Sequence, residues 1–174
     1  MAREQRKVYQ RQPARAVLLD MSPPMDSYTC LNVHEALTST LCLVLQHQGA
    51  PSLSHLSITL LGNYPKCLFP MQPIRSNAQR VSAALKCLAQ EAQCLVGSAP
   101  SSETCLLDGL QEVLAQFHRL SHNSKQALGS TPSQVEVTLV TGRREETVRE
   151  RLTRASDHIS LDQLRKICVV SMPV

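Results

Sequence analysis

The stretch from Ala16 to Ser22 constrains the fold more than any other part of the chain. Four apolar residues in a row end on Asp20, and the hydroxyl residue Ser22 follows two positions later. A short apolar run closed by polar residues predicts a strand that is buried on both faces of a parallel sheet. Open α/β sheets place their ligand sites at the carboxyl ends of the strands. We therefore expect Asp20 and Ser22 to lie at such an edge.

The rest of the chain predicts alternating strands and helices around this first strand. Further strands are predicted over 55–61, 66–69, 135–140 and 167–170, and helices over 28–48, from the capping pattern at 76–79 onwards, over the apolar positions 106–120, over 145–158, and briefly from 160. The segment 121–133 reads as a surface connection. Pro70 and Pro73 confine strand 66–69 to an antiparallel edge. Right-handed crossovers between parallel strands place helices on both faces. The predicted fold class is α/β, a single doubly wound and mostly parallel sheet with one antiparallel edge strand.

The length of 174 residues suits one domain better than two. We expect a basic, flexible tail over residues 1–13 and one α/β domain over residues 14–174. After strand 167–170 only four residues follow, which leaves a sheet edge that a further helix and strand would normally cover. The domain is therefore expected to be incomplete at its C-terminus.

The composition argues against several classes of protein. The seven cysteines are odd in number, irregular in spacing and without a C-x-x-C pair, and no apolar signal segment opens the chain. Free thiols in a reduced, intracellular protein are the better interpretation. Aromatic residues make up 3% with no Trp, which disfavours base stacking as a mode of nucleic-acid recognition. No apolar run is long enough to cross a bilayer, so no membrane partner is expected.

The order of elements resembles a von Willebrand factor A-type domain, in layout more than in motif. This resemblance implies a Mg²⁺ site built from Asp-x-Ser-x-Ser after the first strand, a Thr before the third helix and an Asp after the fourth strand. Asp20 and Ser22 match the first two positions, and Thr104, or else Ser102, matches the Thr. Hard Mg²⁺ prefers such oxygen ligands and keeps waters.

The same region departs from the metal-binding pattern at two positions and adds positive charge. Pro24 stands where the second Ser should be, and the acid expected between Thr141 and Gly142 is missing. Arg143 and Arg144 follow directly and disfavour a cation. We therefore expect no metal cofactor, with Asp20 and Ser22 capping the first helix or ordering the loop. A metal-dependent site made of Asp20, Ser22 and Thr104 is the alternative.

Arginines near the end of the chain are the candidates for partner binding. The four are Arg143, Arg144, Arg151 and Arg154, interleaved with glutamates. An acidic protein partner is one interpretation of this pattern. Salt-sensitive contact with a nucleic-acid backbone, helped by the basic residues near the start of the chain, is a less favoured alternative. These residues are Arg3, Arg6, Lys7, Arg11 and Arg15.

No enzyme signature is present in the sequence. His118 and His122 have helical i, i+4 spacing but lack the Glu of an H-E-x-x-H pattern, and no Gly-rich phosphate loop occurs. We therefore predict a protein that is not an enzyme and has no small-molecule substrate.

Several stretches are similar to the N-terminal part of the meiosis I arrest protein family. They are the ranges 16–37, 108–111, 116–117, 121–122, 135–141, 164–166 and 169–170. The ordered set is more specific than any single block, and it spans roughly residues 14 to 172. The resemblance implies a germ-cell protein needed for progression through meiosis I in spermatogenesis, acting with crossover-promoting proteins. It implies no catalytic residues, a cytoplasmic location with the nucleus as a second site, and a longer polypeptide of which this chain is a fragment or short isoform.

Overall fold

The computed structural model describes residues 13–46, 53–94, 104–128, 134–156 and 162–172. In these ranges strands and helices alternate along the chain. The elements are β1 (Ala14–Asp20), α1 (Ser27–Gln46), β2 (His55–Leu61), β3 (Pro65–Pro73), a 3₁₀ turn (Arg75–Asn77), α2 (Ala78–Gln93), α3 (Thr104–His118), α4 (His122–Leu128), β4 (Val135–Thr141), α5 (Glu145–Ser156) and β5 (Leu164–Ser171).

The strands form one five-stranded sheet with β1 at its centre. The order is β3-β2-β1-β4-β5, in which β1 pairs in parallel with both β2 and β4, and β4 pairs in parallel with β5. Only the β2–β3 pair among the described strands is antiparallel. The predicted α/β class, with an antiparallel edge strand, is confirmed. The apolar run around Leu18 forms the middle strand, as its burial on both faces requires.

Successive side chains of β1 enter two separate cores, because residues of a strand alternate between its faces. Leu19 packs with the apolar residues of α1 and α2 on one face, including Leu41, Val81 and Leu88. Leu18 packs with those of α3 and α5 on the other face, including Leu110, Val113, Phe117 and Val148. Both faces of the centre of the sheet are therefore covered by helices.

The polar segment after α3 is not only a connection, because part of it forms α4. The Ser121 hydroxyl accepts a hydrogen bond from the backbone N–H of Ser124 at 3.1 Å, which is the geometry of an N-terminal cap. Leu128, at the other end, is fully buried in the second core. Most residues of α4 are polar, so its sequence has too little apolar periodicity to be recognised as a helix.

The prediction of a short helix from residue 160 is wrong for its described residues. Asp162 and Gln163 form a turn, and β5 begins at Leu164, three residues earlier than predicted. The carbonyl of Gln163 accepts a hydrogen bond from the Val135 N–H at 2.9 Å, which starts the pairing of β5 with β4. Parallel pairing with a buried strand outweighs the local capping pattern at this point.

The residues at 76–79, which are predicted to cap α2, precede the helix but make different hydrogen bonds from those of a capping box. Asn77 makes no side-chain bond to the helix N-terminus. Its Nδ2 instead donates to the carbonyl oxygen of Pro73 at 2.8 Å, and the 3₁₀ turn leads into the helix. The asparagine therefore connects the end of β3 to the start of α2.

His55, at the start of β2, is expected to make stability depend on pH. Its side chain is buried, and burial lowers the pKa of the imidazole. The unfolded chain, with a histidine pKa of about 6.5, then binds more protons than the folded chain. The contribution of His55 to the free energy of unfolding is therefore fully present above a pH of about 6.5, and it is lost as the pH falls below that value. Replacing His55 with leucine should reduce the loss of stability between neutral and mildly acidic pH, measured as the shift in urea midpoint.

An exposed histidine provides the control for this measurement. His122→Leu on α4 also removes one imidazole, but from the surface, and should leave the acid-dependent shift as in the wild-type chain. An unchanged shift in His55→Leu would contradict the role given to His55.

Candidate functional site

Two buried polar residues meet where the central strands β1 and β4 end. Asp20 closes β1 and Thr141 closes β4, and the register pairs the preceding residues Leu19 and Val140. Asp20 is 8% exposed and Thr141 is fully buried. The Thr141 hydroxyl donates a hydrogen bond to Asp20 Oδ2 at 2.8 Å. The carboxyl edge of the sheet therefore carries a carboxylate tied directly to the neighbouring strand.

The second carboxylate oxygen of Asp20 orders the loop that follows β1. Asp20 Oδ1 accepts hydrogen bonds from the backbone N–H of Ser22, at 3.1 Å, and from the Ser22 hydroxyl. The expectation that these two residues order the loop is confirmed. Capping of α1 is done by Asp26, whose Oδ1 accepts a hydrogen bond from the Thr29 N–H at 2.7 Å.

Arg143 brings a positive charge to the same carboxylate from the loop after β4. Its Nε lies 3.3 Å from Asp20 Oδ2, and its Nη2 donates to the Ser22 hydroxyl oxygen at 2.8 Å. The side chains of Arg143 and Asp20 are only 16% and 11% exposed. A carboxylate in so little water needs such a partner, because an unpaired buried charge is strongly destabilising. We call these four residues, Asp20, Ser22, Thr141 and Arg143, the Asp20 cluster.

The backbone around Arg143 is fixed as firmly as its guanidinium. The Arg143 N–H donates to Thr141 Oγ1 at 3.1 Å, and the Arg143 carbonyl accepts from the Ser171 hydroxyl at 2.7 Å. The Met172 N–H donates to the carbonyl oxygen of Thr141 at 2.9 Å. The ends of β1, β4 and β5 are therefore held together around one charged pair.

A glycine allows the two loops of the cluster to approach each other. A Cβ built on Gly142 would lie 2.9 Å from the backbone nitrogen of Met25 and 3.3 Å from the carbonyl carbon of Pro24. Both obstacles are backbone atoms, which do not rotate away as side chains do. Any larger residue at this position must therefore push the loops apart.

The structure brings together some of the residues predicted for a site and separates others. Asp20, Ser22 and Arg143 lie in one cluster, while Arg144 and Arg154 are exposed on or beside α5. Arg151 is half-buried and lines a small cavity beside Asp20 and Arg143. Thr104 is the first residue of α3, and its side chain lies outside the described part of the structure.

Thr141 is the member of the cluster that sequence reasoning did not select. The sequence marks Thr141 only as a neighbour of the missing acid. It marks Arg143 as a charge that disfavours cations and as a candidate for partner binding, whereas the structure places most of the Arg143 side chain against Asp20, away from solvent. The position of Thr141 in the sequence could have pointed to it. Thr141 directly follows a predicted strand, and Asp20 directly follows the apolar run of the first strand. Two strand ends that face each other at the same edge place their side chains in contact.

The Asp20 cluster is not arranged to bind a divalent metal ion. Mg²⁺ requires nearly octahedral oxygen ligands, but the guanidinium of Arg143 contacts two of the three side chains whose oxygens converge here. Among the described residues, no three His, Cys, Asp or Glu side chains are grouped closely enough to hold a metal. The arrangement positions loops through charge and hydrogen bonds instead.

The cysteines offer no disulfide among the described residues. The seven cysteines all fall in the described ranges and are free, and burial raises the pKa of the Cys30 thiol to about 11. Cys30 Sγ lies 3.7 Å from Met21 Sδ, beside the loop of the Asp20 cluster. In the part of the chain that the structure describes, no helix combines the length and the hydropathy that a bilayer span requires.

Solved structures similar to this chain share its fold. The manganese-loaded TRAP protein of Plasmodium vivax matches 95% of this chain and 59% of its own, at 16% identity and a TM-score of 0.52. The BatB protein of Bacteroides thetaiotaomicron matches 91% of this chain and 66% of its own, at 12% identity and a TM-score of 0.50. A von Willebrand factor type A domain from Catenulispora acidiphila is a more distant neighbour, at 14% identity over 93% of this chain and 39% of its own, with a TM-score of 0.45. At these identities the likeness concerns the fold alone.

Sequence relatives are more informative about the family. The human meiosis 1 arrest protein is 23% identical over 164 residues, which cover 93% of this chain, and the mouse protein is 23% identical over 162 residues, which cover 92%. In both cases the chain spans 30% of the relative's length. The model of the meiosis 1 arrest protein N-terminal domain matches residues 16–173, nearly all of the sheet and its helices. The chain therefore belongs to the meiosis 1 arrest protein family and corresponds to its N-terminal domain.

Proposed function

We propose that this chain is a non-enzymatic protein-interaction module that acts in meiosis I of male germ cells, together with proteins that promote crossover formation. The observation that carries the proposal is the family match over residues 16–173, because the relatives are named for arrest at meiosis 1. The domain is expected in the cytoplasm, with the nucleus as a second location. Spermatogenesis is the process in which its loss should be visible.

The chemistry of the Asp20 cluster supports a binding role over a catalytic one. General acid–base catalysis requires a group that is free to exchange a proton with a substrate. Both carboxylate oxygens of Asp20 accept hydrogen bonds from the loops, and Oδ2 also faces the Arg143 guanidinium. The cluster therefore serves to hold three strand ends in a fixed arrangement, which is useful for presenting a surface.

The exposed arginines beside that edge are the proposed contact points for an acidic partner. Arg144 precedes α5 and Arg154 lies in its last turn, and both are exposed. Exposed arginines at an interface donate bidentate hydrogen bonds to carboxylates and raise the rate of association with an acidic surface. The rigid Asp20 cluster fixes the start of α5 and so the position of Arg144.

Affinity purification from meiotic testis extract, read by mass spectrometry, tests the proposal. The bait is the 174-residue chain, compared with an Arg144→Glu/Arg154→Glu variant. The matched control is Arg80→Glu/Lys86→Glu, which makes the same charge change on exposed positions of α2, on the opposite face of the sheet. We expect crossover-promoting proteins with the wild-type chain and the α2 control, and several-fold less of them with the α5 variant.

Each other outcome of this experiment is also decisive. Failure of the wild-type chain to recover any crossover-promoting protein would contradict the proposed interaction. If the α5 variant recovers as much of the crossover-promoting proteins as the wild-type chain does, Arg144 and Arg154 are not part of the interface. The role as an interaction module would then still stand. Recovery that disappears on nuclease treatment and falls steeply with salt would replace the protein partner by a nucleic acid.

A further inference from the structure

The oxygen atoms of three side chains, those of Asp20, Ser22 and Thr141, converge at the carboxyl edge of the sheet. Ser22 Oγ contacts Asp20 Oδ1, and Thr141 Oγ1 lies 2.8 Å from Asp20 Oδ2. Carboxylate and hydroxyl oxygens of this kind are the ligands that Mg²⁺ and Mn²⁺ take in proteins. The resemblance to A-type domains implies such an ion in this position.

The cation that these oxygens meet in this chain is a guanidinium. Arg143 Nη2 donates to Ser22 Oγ at 2.8 Å, and Arg143 Nε lies 3.3 Å from Asp20 Oδ2. The Arg143 backbone N–H donates to Thr141 Oγ1 at 3.1 Å, so the third oxygen is also in contact with the same residue. Arg143 therefore contacts all three of these side chains, through its guanidinium at Asp20 and Ser22 and through its backbone N–H at Thr141.

We infer that Arg143 is a built-in cation that replaces a divalent metal ion, and that its removal converts Asp20, Ser22 and Thr141 into a binding site for Mn²⁺ or Mg²⁺. The largely buried carboxylate of Asp20 requires a positive charge nearby. The arginine supplies this charge permanently, without dependence on metal concentration. A divalent ion could enter only by displacing the guanidinium and tolerating a second positive charge beside it, which Coulomb repulsion opposes.

The carboxyl edge of the sheet therefore takes up its structure on folding, without a bound metal ion. Metal binding stabilises a protein by mass action in proportion to the ion's affinity for the folded state. The wild-type chain should therefore have the same Tm with EDTA, with Mg²⁺ and with Mn²⁺. A chain without the guanidinium should become responsive to these ions, because three oxygens and several waters can complete the coordination.

The test measures Mn²⁺ binding directly by electron paramagnetic resonance and its effect on Tm by thermal unfolding, with untagged protein. The variants are Arg143→Ala, which opens the site, and Arg143→Gln, which keeps part of the stem and adds a neutral amide. Arg144→Ala is the matched control, since it removes a neighbouring exposed arginine outside the cluster. At about 5 mM Mn²⁺ we expect a Tm rise of roughly 3 °C or more in the two Arg143 variants. The wild-type chain and Arg144→Ala should not change.

The further outcomes decide the inference in either direction. Adding Asp20→Asn to Arg143→Ala should abolish the Mn²⁺ response, because the charged ligand is lost. If Arg143→Ala does not fold without metal, recovery of a cooperative transition on adding Mn²⁺ supports the inference, and Arg143→Gln gives the quantitative comparison. Bound Mn²⁺ in the wild-type chain, or a Tm that falls with EDTA, would overturn it. Absence of any Mn²⁺ response in both Arg143 variants would overturn it as well.

Discussion

Replacing Arg143 with alanine should lower the free energy of unfolding by about 3 kcal/mol, because it leaves the carboxylate of Asp20 largely buried without its counter-charge. The side chains of Asp20 and Arg143 are only 11% and 16% exposed, so water screens their interaction far less than it screens a surface ion pair. The loss of the hydrogen bond to Ser22 Oγ adds to the effect. Urea unfolding followed by circular dichroism measures the change.

The neighbouring arginine gives the matched control for this prediction. Arg144 is exposed, and Arg144→Ala should change the free energy of unfolding by no more than about 0.5 kcal/mol. The comparison separates the loss of a specific partner from the loss of one positive charge in the region. Equal effects of the two substitutions would show that Arg143 contributes only to the general charge of the chain.

Gly142→Ala should be the next most disruptive substitution, with a loss of about 2–3 kcal/mol of stability. Its Cβ would lie 2.9 Å from the Met25 nitrogen, and this distance must increase by moving the loop after β1 or the loop after β4. Either movement also stretches the contacts of the Asp20 cluster, because Ser22 and Arg143 lie in these two loops while Asp20 and Thr141 end the strands before them. Chemical denaturation again gives the magnitude.

A second glycine separates the steric effect from the conformational one. Gly62 lies in the turn after β2, and a Cβ built there meets no atom within 4 Å. Gly62→Ala should therefore be neutral or slightly stabilising, since it reduces the conformational freedom of the unfolded chain. A Gly142→Ala variant as stable as Gly62→Ala would contradict the close approach of the two loops.

Much of the sheet could be predicted from the sequence because burial leaves a clear pattern. Most residues of β1 and β2 are apolar or small, and β3 contains prolines that are tolerated at an edge. The structure differs from the predicted elements where the local sequence signal for a helix is weak, or where it competes with the pairing of two strands. The short helix α4 is mostly polar, although Leu128 at its end is buried. The capping pattern before β5 does not start a helix, because the chain pairs in parallel with β4 there.

The candidate site could be predicted only in part, because its parts are distant in sequence. The end of the first strand points to Asp20 and Ser22, but Arg143 lies 121 positions further along the chain than Ser22. The sequence predicts that Arg143 disfavours a metal ion, but not which residues its guanidinium contacts. That the same arginine contacts Asp20, and that Thr141 completes the cluster, depends on the register between β1 and β4. Such a register is not visible in one sequence.

Asp20 and Arg143 act as one pair that fixes the carboxyl edge of the sheet. A double-mutant cycle with Asp20→Asn, Arg143→Gln and the double variant, measured by urea unfolding, tests this coupling. We expect the two single substitutions to be strongly non-additive, with a coupling energy of about 1–3 kcal/mol. Additive effects, with a coupling energy near zero, would contradict the claim and leave the two residues as independent neighbours.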